Sequence, residues 1–257
     1  GNGLGVEFDH VTDEKIERSA EAARKEVRRA RKLGAARIEI VVTSPWRNAE
    51  NGRDLVTALA AATGSRVRAL SEEEEAELGF LGAVSRTDID QEPVAVCDVG
   101  GGSAQVAVGS RRQASWLRSV ELGSLRLTNR CLRTDPPTRA ELDAARAEVA
   151  ETLAPLTPPL PAVALATGGS ARALRRLGLE TLDREGLKRE LSTLTKLPTA
   201  ARAGYAKADP QRARTLPAGA MILAGLQELL RVPLRVADGG VREGVCLGLL
   251  QAEAATA

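Results

Sequence analysis

The segment Asp98-Val99-Gly100-Gly101-Gly102-Ser103-Ala104-Gln105-Val106-Ala107-Val108-Gly109 constrains this chain more than any other. Val94 to Cys97 before it reads as a buried strand, and Val106 to Val108 reads as a second. Between them lies a turn with three glycines and a serine. Backbone without side chains lets N–H groups close around an anion, so the turn can form a phosphate nest. Asp98, at the end of the first strand, can hold a metal ion or a water beside that phosphate. The order is strand, glycine turn, strand. That separates it from a P-loop and from the G-x-G-x-x-G turn, both of which open a helix. A β-hairpin whose glycines only satisfy turn geometry is the competing reading.

Composition narrows the chemistry. The 257 residues carry 36 basic and 34 acidic side chains, for a net charge of +2. That balance argues against a dedicated nucleic-acid binder. Aromatic residues make up 2% of the chain, too few for base-stacking platforms. The single histidine, His10, argues against a Ser-His-Asp triad or a histidine-rich metal site, so any metal would be held by carboxylates, phosphate and water. Cys97, Cys131 and Cys246 are widely spaced and form no C-x-x-C pair, which argues against structural zinc and a disulfide framework. The expectation is a cytoplasmic protein without a membrane span.

Thr12-Asp13-Glu14 reads as a helix start, with Ile16, Ala20, Ala23, Val27 and Ala30 on one face and Gly34 as the stop. A strand over 37–42, a helix over 51–62, a strand over 67–70 and a helix over 72–82 come next. This alternation predicts an α/β sheet with crossover helices. After residue 93, strands at 94–97, 105–108 and 116–122 predict an antiparallel meander. Helices are expected over 124–132 and 138–153, then a strand over 163–166 that leads into Thr167-Gly168-Gly169-Ser170 and another helix. Residues 183–231 read as mostly helical, with breaks near Pro198, Pro210 and Pro217. A last strand at 234–236 precedes Asp238-Gly239-Gly240 and a final helix to about residue 250.

Four turn motifs stand at strand ends: Thr43–Asn51, Asp98–Ser103, Thr167–Ala171 and Asp238–Gly244. Together with the acidic run Ser71-Glu72-Glu73-Glu74-Glu75-Ala76-Glu77-Leu78 and with Leu122–Thr128, they form an ordered series over nearly the whole chain. In this order and spacing the sequence resembles the exopolyphosphatase and guanosine-pentaphosphate phosphohydrolase family. That family belongs to the superfamily of sugar kinases, Hsp70 and actin. The resemblance implies a two-domain actin-like (ribonuclease-H-like) α/β fold with an interdomain cleft. Residues 1–90 plus the C-terminal helix 241–257 would form the first domain, and 91–240 the second.

The resemblance also implies roles. Glu75 matches the catalytic base that activates water for in-line attack on a terminal phosphoryl group. From the residues alone, Glu72 to Glu75 read equally well as acids in the first turn of a helix. Asp98, Gly100, Gly101, Gly102 and Ser103 match a loop that binds phosphate and Mg2+. Arg47 matches an active-site arginine whose fork suits phosphate oxygens, and it could equally pair with Glu50 at the surface. Gly168, Gly169 and Ser170 match the counterpart of the adenosine loop, which the residues alone present as a capped strand–helix turn. Gln105 stands where the family has Glu and would offer Mg2+ a neutral carbonyl. Glu72 stands where the family has Gly. The family's N-terminal phosphate hairpin is not matched, and Gly1–Phe8 resembles the stretch just C-terminal to that hairpin. The expected first domain is therefore incomplete, with an open sheet edge that would favour a homodimer. The expected activity is Mg2+-dependent hydrolysis of a terminal phosphoanhydride of inorganic polyphosphate or guanosine pentaphosphate. A weakened polyphosphate- or nucleotide-binding sensor is the alternative.

Overall fold

The computed structural model describes residues 10–43 and 49–254. The segment Gly1–Phe8, matched to the stretch after the family hairpin, and Arg47 both lie outside the described residues. The chain divides into two compact units, residues 1–72 and 73–257.

The first unit contains α1 (Asp13–Lys32), β1 (Glu39–Val42), α2 (Gly52–Thr63) and β2 (Arg66–Ala69). β1 and β2 pair in parallel, with Ile40 opposite Val67, as the strand–helix–strand alternation predicts. Val42, Leu55 and Leu59 form its buried centre, against which Ile16, Ala23 and Val67 pack. Thr12 does cap α1, but with its carbonyl rather than its hydroxyl, accepting from Lys15 N and Ile16 N. Asn51 stitches the helix starts together. Its Oδ1 accepts from Val11 N at 2.9 Å, and its Nδ2 donates to Val11 O at 2.8 Å.

The second unit opens with α3 (Glu72–Ser85), most of which belongs to it. It continues through β3 (Val94–Val99), β4 (Ala104–Gly109), β5 (Ala114–Val120), α4 (Ser124–Cys131), α5 (Arg139–Leu153), β6 (Val163–Gly168) and α6 (Gly169–Arg176). β7 (Thr181–Leu182), α7 (Arg184–Leu194), α8 (Thr199–Ala206), α9 (Pro210–Leu230), β8 (Leu234–Val236) and α10 (Val241–Ala254) complete it. The six strands lie in the order β5-β4-β3-β6-β8-β7. β3, β6 and β8 are parallel, while β4 and β5 return antiparallel as the expected meander.

Strand side chains alternate between the two sheet faces. Ala95, Cys97 and Val99 point to the face covered by α4, α5, α6 and α9, where the larger core lies. Val94 and Val96 point to the other face, with Ala107, Leu165 and Phe80 of α3. Asp98 therefore shares the α3 face. On that side α3 and α10 meet backbone to backbone. A Cβ at Gly82 would lie within 2.6 Å of Gly244 N, and one at Gly244 within 2.7 Å of the Leu78 carbonyl carbon.

The expected break at Pro217 does not occur. α9 runs through it, with Pro217 buried. A proline there cannot donate to the carbonyl four residues earlier, which is that of Ala213. Arg202 replaces the missing donor. It is 2% exposed, and its Nη1 donates to Ala213 O at 3.1 Å. Its Nε and Nη2 donate to the carbonyls of Leu194 and Leu197. Arg202→Met keeps the apolar stem but strands three carbonyls. It is expected to lower unfolding free energy by roughly 3 kcal/mol in a urea titration. A loss below about 0.5 kcal/mol would show that the guanidinium does not support the proline-interrupted helix.

Candidate functional site

Parallel pairing brings the C-terminal ends of β3, β6 and β8 to one edge of the sheet, the position where open α/β sheets bind ligands. Asp98 lies opposite Thr167, Val99 opposite Gly168, and Ala166 opposite Val236. The turns that leave these three strands are Gly100–Ser103, Gly168–Ser170 and Ala237–Gly240. Three of the four motif turns are thus assembled within one unit.

The glycine turn is shaped by α4. Ser124 N donates to Gly100 O at 2.9 Å, and Leu125 N and Arg126 N donate to Gly101 O at 2.9 and 3.0 Å. Ser124 Oγ also donates to Gly100 O, and Arg126 Nε donates to Gly102 O at 2.9 Å. The turn carbonyls thereby satisfy the open N-terminus of α4. Among the described residues, the N–H groups of Gly101, Gly102 and Ser103 have no hydrogen-bond acceptor. Carbonyls spent on one side and unspent N–H groups form the arrangement of an anion nest.

The glycines of the turn are not held there by left-handed backbone. Gly100 and Gly101 do not take positive φ, and a Cβ at Gly101 would touch only Leu125 Cβ at 3.7 Å. The tight positions are Gly123, where a Cβ would collide with the backbone of Gly101 and Gly102, and Gly168, at φ +97°. Leu122–Thr128 carried this information as a motif, but nothing in its composition revealed that Gly123 and Arg126 clamp the turn.

A polar row crosses the α3 face of the sheet. Register places Ser119 beside Gln105, Gln105 beside Asp98 and Asp98 beside Thr167. Gln105 is buried, and its Nε2 donates to Ser103 Oγ at 2.8 Å and to Ser119 Oγ at 3.3 Å. Thr167 Oγ1 donates to Gly239 O at 2.8 Å, tying β6 to the turn after β8. Gly79 of α3 faces Asp98. A Cβ there would stand 3.7 Å from Asp98 Oδ2. Glu75, one helical turn earlier, is buried at 9% exposure and lies near enough to repel the Asp98 carboxylate. Burial first and the Glu75 charge second push Asp98 up to about 6, while Arg172 pulls it down. Ser170 is fully buried, with its Oγ against Gly219 of α9.

The structure therefore brings together Glu75, Asp98, the Gly100–Ser103 turn, Gln105 and the Gly168–Ser170 turn. Among the described residues no group of three or more His, Cys, Asp or Glu is arranged to hold a metal ion. Mg2+ keeps several waters and is held by one or two carboxylates plus substrate phosphates. The pair Asp98 and Glu75 beside an anion nest fits that donor set.

Solved structures of other proteins share this fold. An exopolyphosphatase from Cytophaga hutchinsonii aligns with a TM-score of 0.89 at 20% identity, covering 98% of this chain and 88% of the other. The Aquifex aeolicus Ppx/GppA family member aligns with a TM-score of 0.81 at 22% identity, covering 95% and 84%. The chain belongs to the Ppx/GppA phosphatase family, whose sequence profile matches residues 6–253. It is 31% identical over 242 residues to exopolyphosphatase 2 of Mycobacterium tuberculosis, covering 84% of this chain and 75% of that protein. Exopolyphosphatase 1 of the same organism is 30% identical over 240 residues, covering 86% and 69%. The enzyme class is that of a phosphoanhydride hydrolase.

Two outcomes check this geometry. Gly123→Ala forces α4 off the turn and is expected to weaken binding of inorganic tripolyphosphate by at least about 10-fold in calorimetry, as the nest loses its shape. Unchanged affinity would separate the turn from anion binding. The second concerns stability. The folded value of Asp98, about 6, exceeds its ordinary 3.8. Its contribution to stability is therefore fully present below about pH 4 and is lost as pH rises through 6. Asp98→Asn is expected to stabilise the fold at pH 8 by on the order of 2 kcal/mol, a gain that shrinks toward pH 5. A difference independent of pH in denaturant titrations would contradict the burial of Asp98 and its repulsion by Glu75.

Proposed function

We propose that this chain hydrolyses the terminal phosphoanhydride bond of inorganic polyphosphate, with Mg2+ bound at Asp98. The observation that carries the reading is the Glu75–Asp98 carboxylate pair standing beside a turn whose N–H groups are unspent. The relatives named exopolyphosphatase support the substrate class. Phosphoryl transfer needs little covalent chemistry from a protein. It needs positioning and stabilisation of developing charge.

The N–H groups of Gly101, Gly102 and Ser103 bind oxygens of the terminal phosphoryl group. Ser103 Oγ accepts from Gln105, which leaves its own proton free to donate to the same group. Glu75 orients a water and takes its proton during in-line attack. Asp98 holds Mg2+, which supplies charge neutralisation on the phosphoryl oxygens when bound. Gln105, a neutral cross-strand neighbour of Asp98, keeps the negative charge at two carboxylates.

Phosphate release from polyphosphate, with and without Mg2+, tests the reading, with guanosine pentaphosphate as a parallel substrate. Glu75→Gln is expected to lower kcat on the order of 10²–10⁴-fold while retaining tripolyphosphate binding. Near-parental turnover of the variant would remove Glu75 as the base. Faster release from guanosine pentaphosphate than from polyphosphate would reassign the substrate.

A further inference from the structure

The helical layer of the second unit carries a groove of about 820 Å³ between α5, α7 and α9. α9 packs against both other helices, which do not pack closely on each other, so a trough stays open between them with α9 as its floor. Each helix gives the trough an apolar pair one turn apart. These are Val149 and Leu153 from α5, Leu187 and Leu191 from α7, and Met221 and Gly225 from α9. α9 and α5 meet tightly at the floor. A Cβ at Gly225 would stand 2.6 Å from Val149 Cγ1 and 3.0 Å from Leu153 Cδ1. Leu191, Ala224 and Leu229 remain half-exposed, and Ala150 and Ala154 are exposed, so apolar surface faces solvent along the trough.

The walls are charged, and unevenly. Arg146 on α5 and Arg184 and Lys188 on α7 border the trough from both sides, against the single acid Glu228 on α9. Arg146 pairs with Asp143 of its own helix at 2.8 Å. Arg184 and Lys188 are exposed and one turn apart, and among the described residues neither has a carboxylate within ion-pair distance. An apolar floor between basic walls is the complement of an amphipathic helix whose apolar stripe is flanked by acidic residues. The dimensions agree. Met221 to Leu229 spans about 12 Å of floor, the reach of anchors spaced i, i+3, i+4 and i+7 on a docked helix. Ala224 and Gly225 in the middle of that floor leave room for its side chains.

We propose that the groove between α5, α7 and α9 docks an amphipathic helix of a partner protein, its apolar side chains in the trough and its acidic flanks against Arg184, Lys188 and Arg146. Charge complementarity sets the chemistry of the partner, since acids across from Arg184 and Lys188 supply the counter-ions that this chain does not. The docked helix would complete a four-helix arrangement over α9. α5 and α9 cover the sheet face opposite the one that Asp98 shares, so an occupied groove leaves the Asp98 face free. The surface does not depend on which phosphoanhydride the protein hydrolyses.

Fluorescence anisotropy with the full chain tests the surface. The probe is a labelled helical peptide of roughly four turns, with leucines along one stripe and glutamates on both flanks. A second peptide carries lysine for each glutamate, and a third carries serine for each leucine. Wild type is expected to bind the acidic peptide with a Kd on the order of 10 μM, and the other two at least about 10-fold more weakly. Arg184→Glu combined with Lys188→Glu alters two exposed side chains, so the melting temperature should hold. This variant should lose at least about 10-fold in affinity for the acidic peptide and bind the lysine peptide more tightly than wild type does. Ala224→Gln fills the floor without changing charge and should also weaken the acidic peptide. Saturating tripolyphosphate should leave the peptide bound. Equal binding of the serine peptide, displacement by tripolyphosphate or indifference to the charge reversal overturns the proposal. A dimer in sedimentation that the charge reversal dissociates assigns the groove to a second copy of this chain, and dodecanoate binding tighter than the acidic peptide assigns it to a small amphiphile. Either result overturns the helix as occupant.

Discussion

The site depends on one backbone exchange. The N-terminus of α4 takes the carbonyls of Gly100, Gly101 and Gly102, and this decides which way the turn faces. A helix start left open in a protein interior is costly, and a three-glycine turn left to itself is conformationally loose. Each supplies what the other lacks. The helix gains acceptors, and the turn is fixed with its N–H groups unspent. Arg126 reinforces the exchange from a buried position, its Nε on Gly102 O and its Nη2 3.3 Å from Glu121.

The sheet supplies the second constraint. Parallel pairing of β3, β6 and β8 requires their turns to emerge on one edge, and alternation of side chains requires Asp98, Gln105 and Thr167 to share a face. Both rules were legible in the sequence. The apolar runs at Val94–Cys97 and Val163–Ala166 marked strands, and the spacing of the glycine turns marked their ends. The acidic run placed Glu75 on a helix, and the fold carries that helix over Asp98. The role of Glu75 as base comes from the family pattern, because periodicity equally allows a solvated acid of a first helical turn, whereas Asp98 is marked by its place at the strand end before the glycine turn.

What stayed hidden involves contacts between distant residues. Pro217 reads as a helix breaker because local rules see only its missing N–H. Arg202 supplies the donor from another helix, and no pattern along the chain announces that partnership. Gly123 and Gly169 look like ordinary turn and cap residues. Gly123 is required because two backbone segments touch, whereas at Gly169 the neighbour is the movable guanidinium of Arg212.

The meeting of α3 with α10 has a consequence for how this site can vary. At Gly82 and Gly244 the two segments touch through main chain alone, with no side chains between them to be exchanged. Ordinary interfaces drift as residues of different size replace one another, and the helices shift to suit. A contact made of bare backbone has no such adjustable layer at these two positions. Glu75 sits about two helical turns from Gly82 on the same rigid rod. The helix that carries Glu75 over Asp98 is thereby seated on α10 by main chain, and any bulk added at Gly82 or Gly244 would shift the carboxylate with the helix.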